Sequence, residues 1–316
     1  MRIGIDLGGM SAKLGLVNEK NEIVGKLVIP TRLDVPAREM IHDMAEAVKK
    51  LAGEHGLQTE ELEGIGIGSP GTVDQKTGSI LYSNNFSWED VPILSILKEY
   101  LGPIPMDIAN DADAAALGEV CAGAAKGAKN AILLTLGTGV GGGVVLNGKI
   151  FRGGVTGGCE LGHMAIVENG QLCTCGRRGC LEAYASASAL LRMARKAAAE
   201  HPESVMNEMC GGDLEKMNGK IPFDAAAAGD AAGYQVVEEY ENHLAFGIAN
   251  LINIFRPEMV ILGGGVAAQK ENLTVPLQKK TECMCFGGRH GQIAPIVTSC
   301  LGNDAGIIGA ANLIEI

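Results

Sequence analysis

The sequence runs to 316 residues, 47% of them hydrophobic, which is enough for a large core and long enough to suggest two lobes in preference to one domain. Its formal net charge of −11 excludes a surface built to wrap nucleic acid or to lie on an anionic membrane, since both need a basic face. The 45 glycines follow apolar runs and form no low-complexity tract, so they read as turns and points of close phosphate approach, and disorder is excluded. At the N-terminus Asp6 falls where the apolar core of an export signal would continue, and no run of about 18 apolar residues follows, so a cytoplasmic protein without a membrane anchor is expected.

Ile3 and Ile5 predict a first strand, Gly8-Gly9 a glycine turn, residues 14–17 a second strand, the polar segment 18–21 a turn and residues 23–28 a third strand: a β-meander. Ile41, Met44, Ala45, Val48, Leu51 and Ala52 then share one helical face, followed by the strand Ile65-Gly66-Ile67-Gly68 and by a further helix and strand. Residues 131–151 repeat the order, with strand 132–136, glycine turn 137–143, strand 144–146, the hairpin turn Asn147-Gly148 and strand 149–151. Residues 201–222, with Pro202, Gly211-Gly212, Gly219 and Pro222, read as an irregular surface insertion. A long helix carrying Val236, Tyr240, Leu244, Ile248, Leu251 and Phe255 is predicted to end at Arg256-Pro257, before the strand 259–262. The half-chains thus share one plan, and two glycine turns facing each other across a cleft would suit ATP.

Gly137-x-Gly139-x-x-Gly142 and Gly66-x-Gly68-x-x-Gly71 both match the dinucleotide spacing. That fingerprint must open a helix, whereas Gly142 runs into a hairpin, so a dinucleotide site is rejected. The Walker pattern is also missing, which leaves any nucleotide to be held by hairpin turns.

Nine cysteines, an odd number, point to thiols or metal ligands in preference to a disulfide scaffold. His163, Cys173, Cys175 and Cys180 cluster in a loop whose Gly170, Gly176 and Gly179 permit tight turns. One imidazole and three thiolates suit tetrahedral Zn2+, and a shell filled by protein marks a structural site. Cys283-x-Cys285, Cys121, Cys159, Cys210 and Cys300 read as core or surface thiols.

Taken together, Asp6-Leu-Gly-Gly9, Gly68-Ser-Pro-Gly71, Asn110-Asp111-Ala-Asp-Ala-Ala, Leu136-Gly-Thr-Gly-Val-Gly-Gly-Gly143, Glu160-x-Gly162-His163, Cys173-x-Cys175-Gly-x-x-Gly179-Cys180-Leu-Glu182 and Leu262-Gly-Gly-Gly265 resemble the ROK family of repressors, open reading frames and sugar kinases over nearly the whole chain. The resemblance implies an α/β chain with the actin-like ATPase (ribonuclease H-like) duplicated two-lobe fold and an interlobe cleft. The expected division is a lobe of residues 1–118, joined by a C-terminal helix 303–316, and a larger lobe 119–302 holding the zinc loop 163–180. The implied activity is ATP-dependent phosphorylation of the 6-hydroxyl of a hexose. Glucose is the expected sugar, with N-acetylmannosamine, N-acetylglucosamine and fructose as alternatives.

On the same resemblance Asp111 is the catalytic base, and Asn110, Glu160, His163 and Glu182 hydrogen-bond the sugar, His163 giving one ring nitrogen to zinc and the other to substrate. Read alone, Asn110-Asp111 could equally cap the alanine-rich helix that follows. Gly8, Gly9, Gly137, Thr138 and Gly139 would approach phosphates through backbone amides, Gly263, Gly264 and Gly265 would pass close to adenosine, and Asp6 would hold Mg2+. The chain departs from the family at Met10-Ser11, where Thr-Lys is usual, and so lacks a phosphate-side hydroxyl. A DNA-binding repressor is not expected, because nothing precedes Ile3 to enter a groove, and an intact Asp111 argues against a sugar sensor without catalysis. A homodimer or higher homo-oligomer is expected from the family.

Overall fold

The computed structural model describes residues 1–154, 156–291 and 293–314. The chain forms two compact units, Met1–Leu133 with Gly143–Cys159 and Cys300–Ile316, and Leu134–Gly142 with Glu160–Ser299. The C-terminal segment therefore groups with the N-terminal unit, which also takes in residues 119–133 and 143–159, beyond the division expected at 118. Compactness follows contacts and not chain order, so each unit is discontinuous.

The first unit opens on the meander β1 (Arg2–Leu7), β2 (Ser11–Val17) and β3 (Ile23–Pro30), followed by α1 (Ala37–Glu54) and β4 (Gly64–Ser69). A hairpin sheet absent from the sequence reading comes next: β5 (Thr72–Asp74), β6 (Ser79–Ser83) and β7 (Trp88–Val91). Then follow α2 (Ile93–Leu101), β8 (Met106–Asn110) and α3 (Asp111–Cys121). The main sheet is ordered β3-β2-β1-β4-β8, with β1, β4 and β8 parallel.

The Ile-Gly-Ile alternation of β1 and β4 explains the layers, because successive residues of a strand point to opposite faces. Ile3, Ile5, Ile65 and Ile67 are fully buried in one core with Met44, Val48 and Leu51 of α1. Gly4 and Gly66 pair in register on the other face. There a Cβ on Gly4 would lie 1.9 Å from the carbonyl oxygen of Ile307, and one on Gly66 1.7 Å from that of Ala310, so only glycine admits the C-terminal helix.

β9 (Ala131–Leu136), β10 (Val140–Leu146) and β11 (Lys149–Ile150) begin the second sheet. The helices α4 (Glu182–Ala185), α5 (Ala187–Glu200), α6 (Val205–Met209), α7 (Ile221–Ala227) and α8 (Ala231–Phe255) follow. β12 (Met259–Gly263), α9 (Glu271–Met284), β13 (Ile296–Thr298) and α10 (Ala305–Ala311) complete the chain. The strand order β11-β10-β9-β12-β13 repeats that of the first sheet, as the internal repeat predicted.

Three local readings change. The glycine turn is shorter than 137–143, since β10 already starts at Val140. The insertion 201–222 is not irregular: it holds α6, a 3-10 turn at Leu214–Lys216 and the start of α7, with Met206 and Cys210 buried. The Asp230 carboxylate caps α8 at Gly233 and also accepts from Val205 N–H and the Ser204 hydroxyl, tying α6 to α8. The long helix ends where the sequence indicated, with Arg256 left-handed at φ 47° before Pro257. The expected helix 303–316 is shorter, at Ala305–Ala311, and residues 315–316 lie outside the described residues. Among the described residues no helix is long and apolar enough to cross a membrane.

Candidate functional site

In the first unit the functional candidates gather where three parallel strands end. Register pairs Asp6 with Gly68 and Gly68 with Ala109, so Asp6, the turn after β4 and Asn110-Asp111 share the carboxyl edge of β1, β4 and β8, where ligands of α/β sheets bind. Asn110 caps α3: its Oδ1 accepts from Ala112 N–H at 2.9 Å, and its Nδ2 donates to the Gly71 carbonyl at 3.3 Å. Asp111 is the first residue of α3, half-buried, and its Oδ1 also accepts from Ala112 N–H. Capping and a chemical role are therefore compatible here, being carried by neighbouring side chains.

Asp6 forms an ion pair with Lys13 at 3.0 Å across the β1–β2 hairpin. One of its oxygens is thus engaged, and the other suffices for a hydrated Mg2+, which needs only one or two protein carboxylates beside phosphate oxygens. At the hairpin turn, Gly8 N–H donates to Ser11 O, while Met10 is 90% exposed and contributes its carbonyl to Thr31 N–H.

In the second unit, Glu160 precedes a 3-10 turn, Leu161–His163, that presents His163 half-buried. Gly162 lets this turn approach β10, since a Cβ there would lie 2.0 Å from the Val140 carbonyl oxygen. Glu182 opens α4, and its Oε2 accepts from Val140 N–H at 3.1 Å while Oε1 accepts from the Thr174 hydroxyl at 2.7 Å and the Cys173 thiol at 3.4 Å. Burial pushes this carboxyl up, but the Thr174, Val140 and Cys173 donors outweigh it and hold the group below the usual carboxylate range. Thr174 carried no signal in the sequence beyond its place between two cysteines.

The ligand atoms of His163, Cys173, Cys175 and Cys180 lie within 4.8 Å of one another. Cys173 Sγ is 3.6 Å from His163 Nδ1, and Cys175 Sγ is 3.7 Å from Cys180 Sγ. A tetrahedron with Zn–S of about 2.3 Å and Zn–N of about 2.0–2.1 Å has S···S edges near ~3.8 Å and S···N edges near ~3.6 Å, so the donor set fits zinc. Burial pushes the Cys180 thiol up to about 12 and raises Cys173 too, whereas Cys175 is lowered, first by the Arg177 N–H. Three thiolates this close require a cation to ionise together.

The turn Gly137-Thr138-Gly139 leaves β9, and Gly263-Gly264-Gly265 leaves the neighbouring β12. Gly264 has φ 82°, and a Cβ on it would lie 2.6 Å from the backbone of Leu136, so the second glycine segment packs against the end of β9, where the first begins. The start of α5 holds the turn from below: Ala187 N–H donates to Gly137 O, and the Ser188 hydroxyl to Thr138 O, each at 2.8 Å.

The ROK family pattern matches residues 2–316. The glucokinase of Halalkalibacterium halodurans is 39% identical over 319 aligned positions, spanning 99% of this chain and 94% of that protein. A crystal structure of a ROK family glucokinase from Streptomyces griseus, in complex with glucose and AMPPNP, superposes with TM-score 0.77 at 34% identity, covering 99% of this chain and 98% of that one. The xylose repressor of Caldicellulosiruptor bescii is 31% identical, but the match takes in 83% of this chain and 65% of the repressor.

Proposed function

The chain belongs to the ROK family and has its actin-like α/β fold, and from that premise we propose that it is an ATP-dependent hexose kinase, a glucokinase that transfers the γ-phosphoryl group of ATP to the 6-hydroxyl of glucose. The observation that carries this reading is the likeness to glucokinases over nearly the full length of both chains, against about two thirds of the repressor.

Asp111 is the general base in this proposal. Phosphoryl transfer depends on positioning and on charge stabilisation, and a carboxylate at the mouth of α3 orients the attacking hydroxyl and accepts its proton late. Asn110, Glu160, His163 and Glu182 bind the sugar hydroxyls. The turns at Gly8, Gly9, Gly137, Thr138 and Gly139 approach the phosphates with their backbone, the N–H groups of Gly8 and Gly137 being held inside the turns by Ser11 O and Gly139 O; Gly263 to Gly265 border the adenosine, and Asp6 would hold a hydrated Mg2+ that neutralises phosphate charge. His163, Cys173, Cys175 and Cys180 hold a structural zinc, and His163 Nδ1 on that cluster leaves Nε2 for substrate. We further assign the enzyme to the cytoplasm and to a homodimer or larger homo-oligomer.

The test is ADP release coupled to oxidation of a reporter, measured with ATP and Mg2+ across glucose, mannose, fructose and the N-acetylated hexosamines. Glucose should give the highest kcat/KM. A wide preference for N-acetylmannosamine would overturn the choice of sugar, and absence of ADP with every hexose would overturn the enzyme reading itself.

A further inference from the structure

Glu182 has both carboxylate oxygens engaged by different parts of the second unit. Oε2 accepts from the N–H of Val140, the residue directly after the Gly137-Thr138-Gly139 turn, and Oε1 from the hydroxyl of Thr174 in the cysteine loop. Gly139 permits this approach, because a Cβ there would lie 2.4 Å from Oε2. The carboxylate is thus a strut between the cysteine loop and the glycine turn. A carboxylate offers about four lone-pair sites, so an oxygen that accepts from a single protein donor can still accept from a sugar hydroxyl.

We propose that Thr174 is a positioning residue for sugar binding: its hydroxyl fixes the Glu182 carboxylate between the cysteine loop and the glycine turn, and so sets the direction in which that carboxylate accepts from the sugar. The Cys173 thiol also points at Oε1, at 3.4 Å. A metal-bound cysteine is a thiolate and has no proton to donate. Once the cluster holds its metal, Thr174 is therefore the side-chain donor that keeps Oε1 in place. The role belongs to the hydroxyl and not to the bulk of the residue, since Thr174 is exposed.

This inference rests on the reading that Glu182 contacts the sugar, and the experiment separates the two. In the zinc-loaded full-length protein, Thr174→Val keeps the shape and removes the donor, whereas Thr174→Ser keeps the donor. Thr174→Val should raise the KM for glucose, and the Kd for glucose measured by calorimetry without ATP, by about tenfold, the scale of a lost hydrogen bond to a charged group that is partly solvated. The same variant should hold as much zinc as wild type by elemental analysis and change kcat by less than about threefold, and Thr174→Ser should stay within about twofold of wild type throughout. Unchanged glucose affinity in Thr174→Val would overturn the proposal, as would equal damage from Thr174→Ser or loss of zinc in Thr174→Val, either of which assigns the residue to loop structure. Glu182→Gln supplies the control. If it leaves glucose affinity intact, the sugar-contact reading of Glu182 fails; if it weakens affinity while Thr174→Val does not, the role of Thr174 alone fails.

Discussion

Asp111 owes its position to residues that have no side chain. A Cβ on Gly68 would lie 3.7 Å from the Asp111 Cα and 3.0 Å from the Ala114 Cβ, and one on Gly143 would lie 2.8 Å from the Ala112 carbonyl oxygen, so the first turn of α3 is seated against two glycines. Replacing Asp111 with Asn preserves the Oδ1 that accepts from Ala112 N–H and removes only the proton acceptor. We expect glucose binding to persist and kcat to fall by about 10²-fold or more; a variant with near-normal kcat would take Asp111 out of the mechanism. Met10 is the opposite case. Its side chain is almost wholly exposed at the hairpin turn and only its backbone is used, so Met10→Thr should fold normally. A hydroxyl restored beside the phosphates should lower the KM for ATP several-fold, within about a decade, and leave that for glucose unchanged. A rise in the ATP KM of the folded variant would show that no vacant role for a hydroxyl exists there.

At the scale of elements, the glycine face of the first sheet makes the sharpest stability prediction. A methyl group on Gly66 meets the backbone of α10, which has no flexible side chain to yield, and α10 is in turn locked to α3 where a Cβ on Gly309 would lie 1.6 Å from the Ala114 carbonyl oxygen. Gly66→Ala should cost about 1–3 kcal/mol or more, read as a lowered urea midpoint; an unchanged midpoint would show that α10 shifts freely. The α8–α9 pair carries a pH-dependent term. Glu241 is 3% exposed on α8, and burial pushes its carboxyl up to about 7; Lys280 lies 3.9 Å away and opposes the rise, while Glu238, which takes Lys280 at 2.6 Å, adds to it. The folded value lies above the ordinary 4.5, so the folded state binds the extra proton, and the stability that this proton confers is full below pH 4.5 and is lost as pH rises through 7. Glu241→Gln should match wild type near pH 4.5 and exceed it by about 1–3 kcal/mol at pH 8. Parallel pH profiles for the two proteins would refute this.

For the whole molecule, the proposed zinc at His163, Cys173, Cys175 and Cys180 would couple folding to the proposed activity, because the loop that carries His163 and Thr174 leads directly into Glu182. Cys175→Ser should abolish stoichiometric zinc and weaken glucose phosphorylation together, and chelation of the wild type should lower its melting temperature. Wild-type protein that contains no zinc, and whose melting and activity a chelator leaves unchanged, would eliminate the metal site. The sequence by itself determined the repeated meander, the long helix up to Arg256-Pro257 and the grouping of one histidine with three cysteines, because side-chain period, proline sterics and short ligand spacing are local properties written in the order of residues. It also carried the family resemblance through motifs of fixed spacing. Only the tertiary structure decided that Thr174 meets Glu182, that Lys13 pairs with Asp6, that residues 72–91 form a separate hairpin sheet, that 201–222 folds into short helices anchored by buried Met206 and Cys210 and that 143–159 groups with the N-terminal unit. Each of these depends on which groups, local or distant in the chain, the turns and the packing bring within hydrogen-bond or van der Waals reach, and that is set by three-dimensional packing and not by any periodicity along the chain.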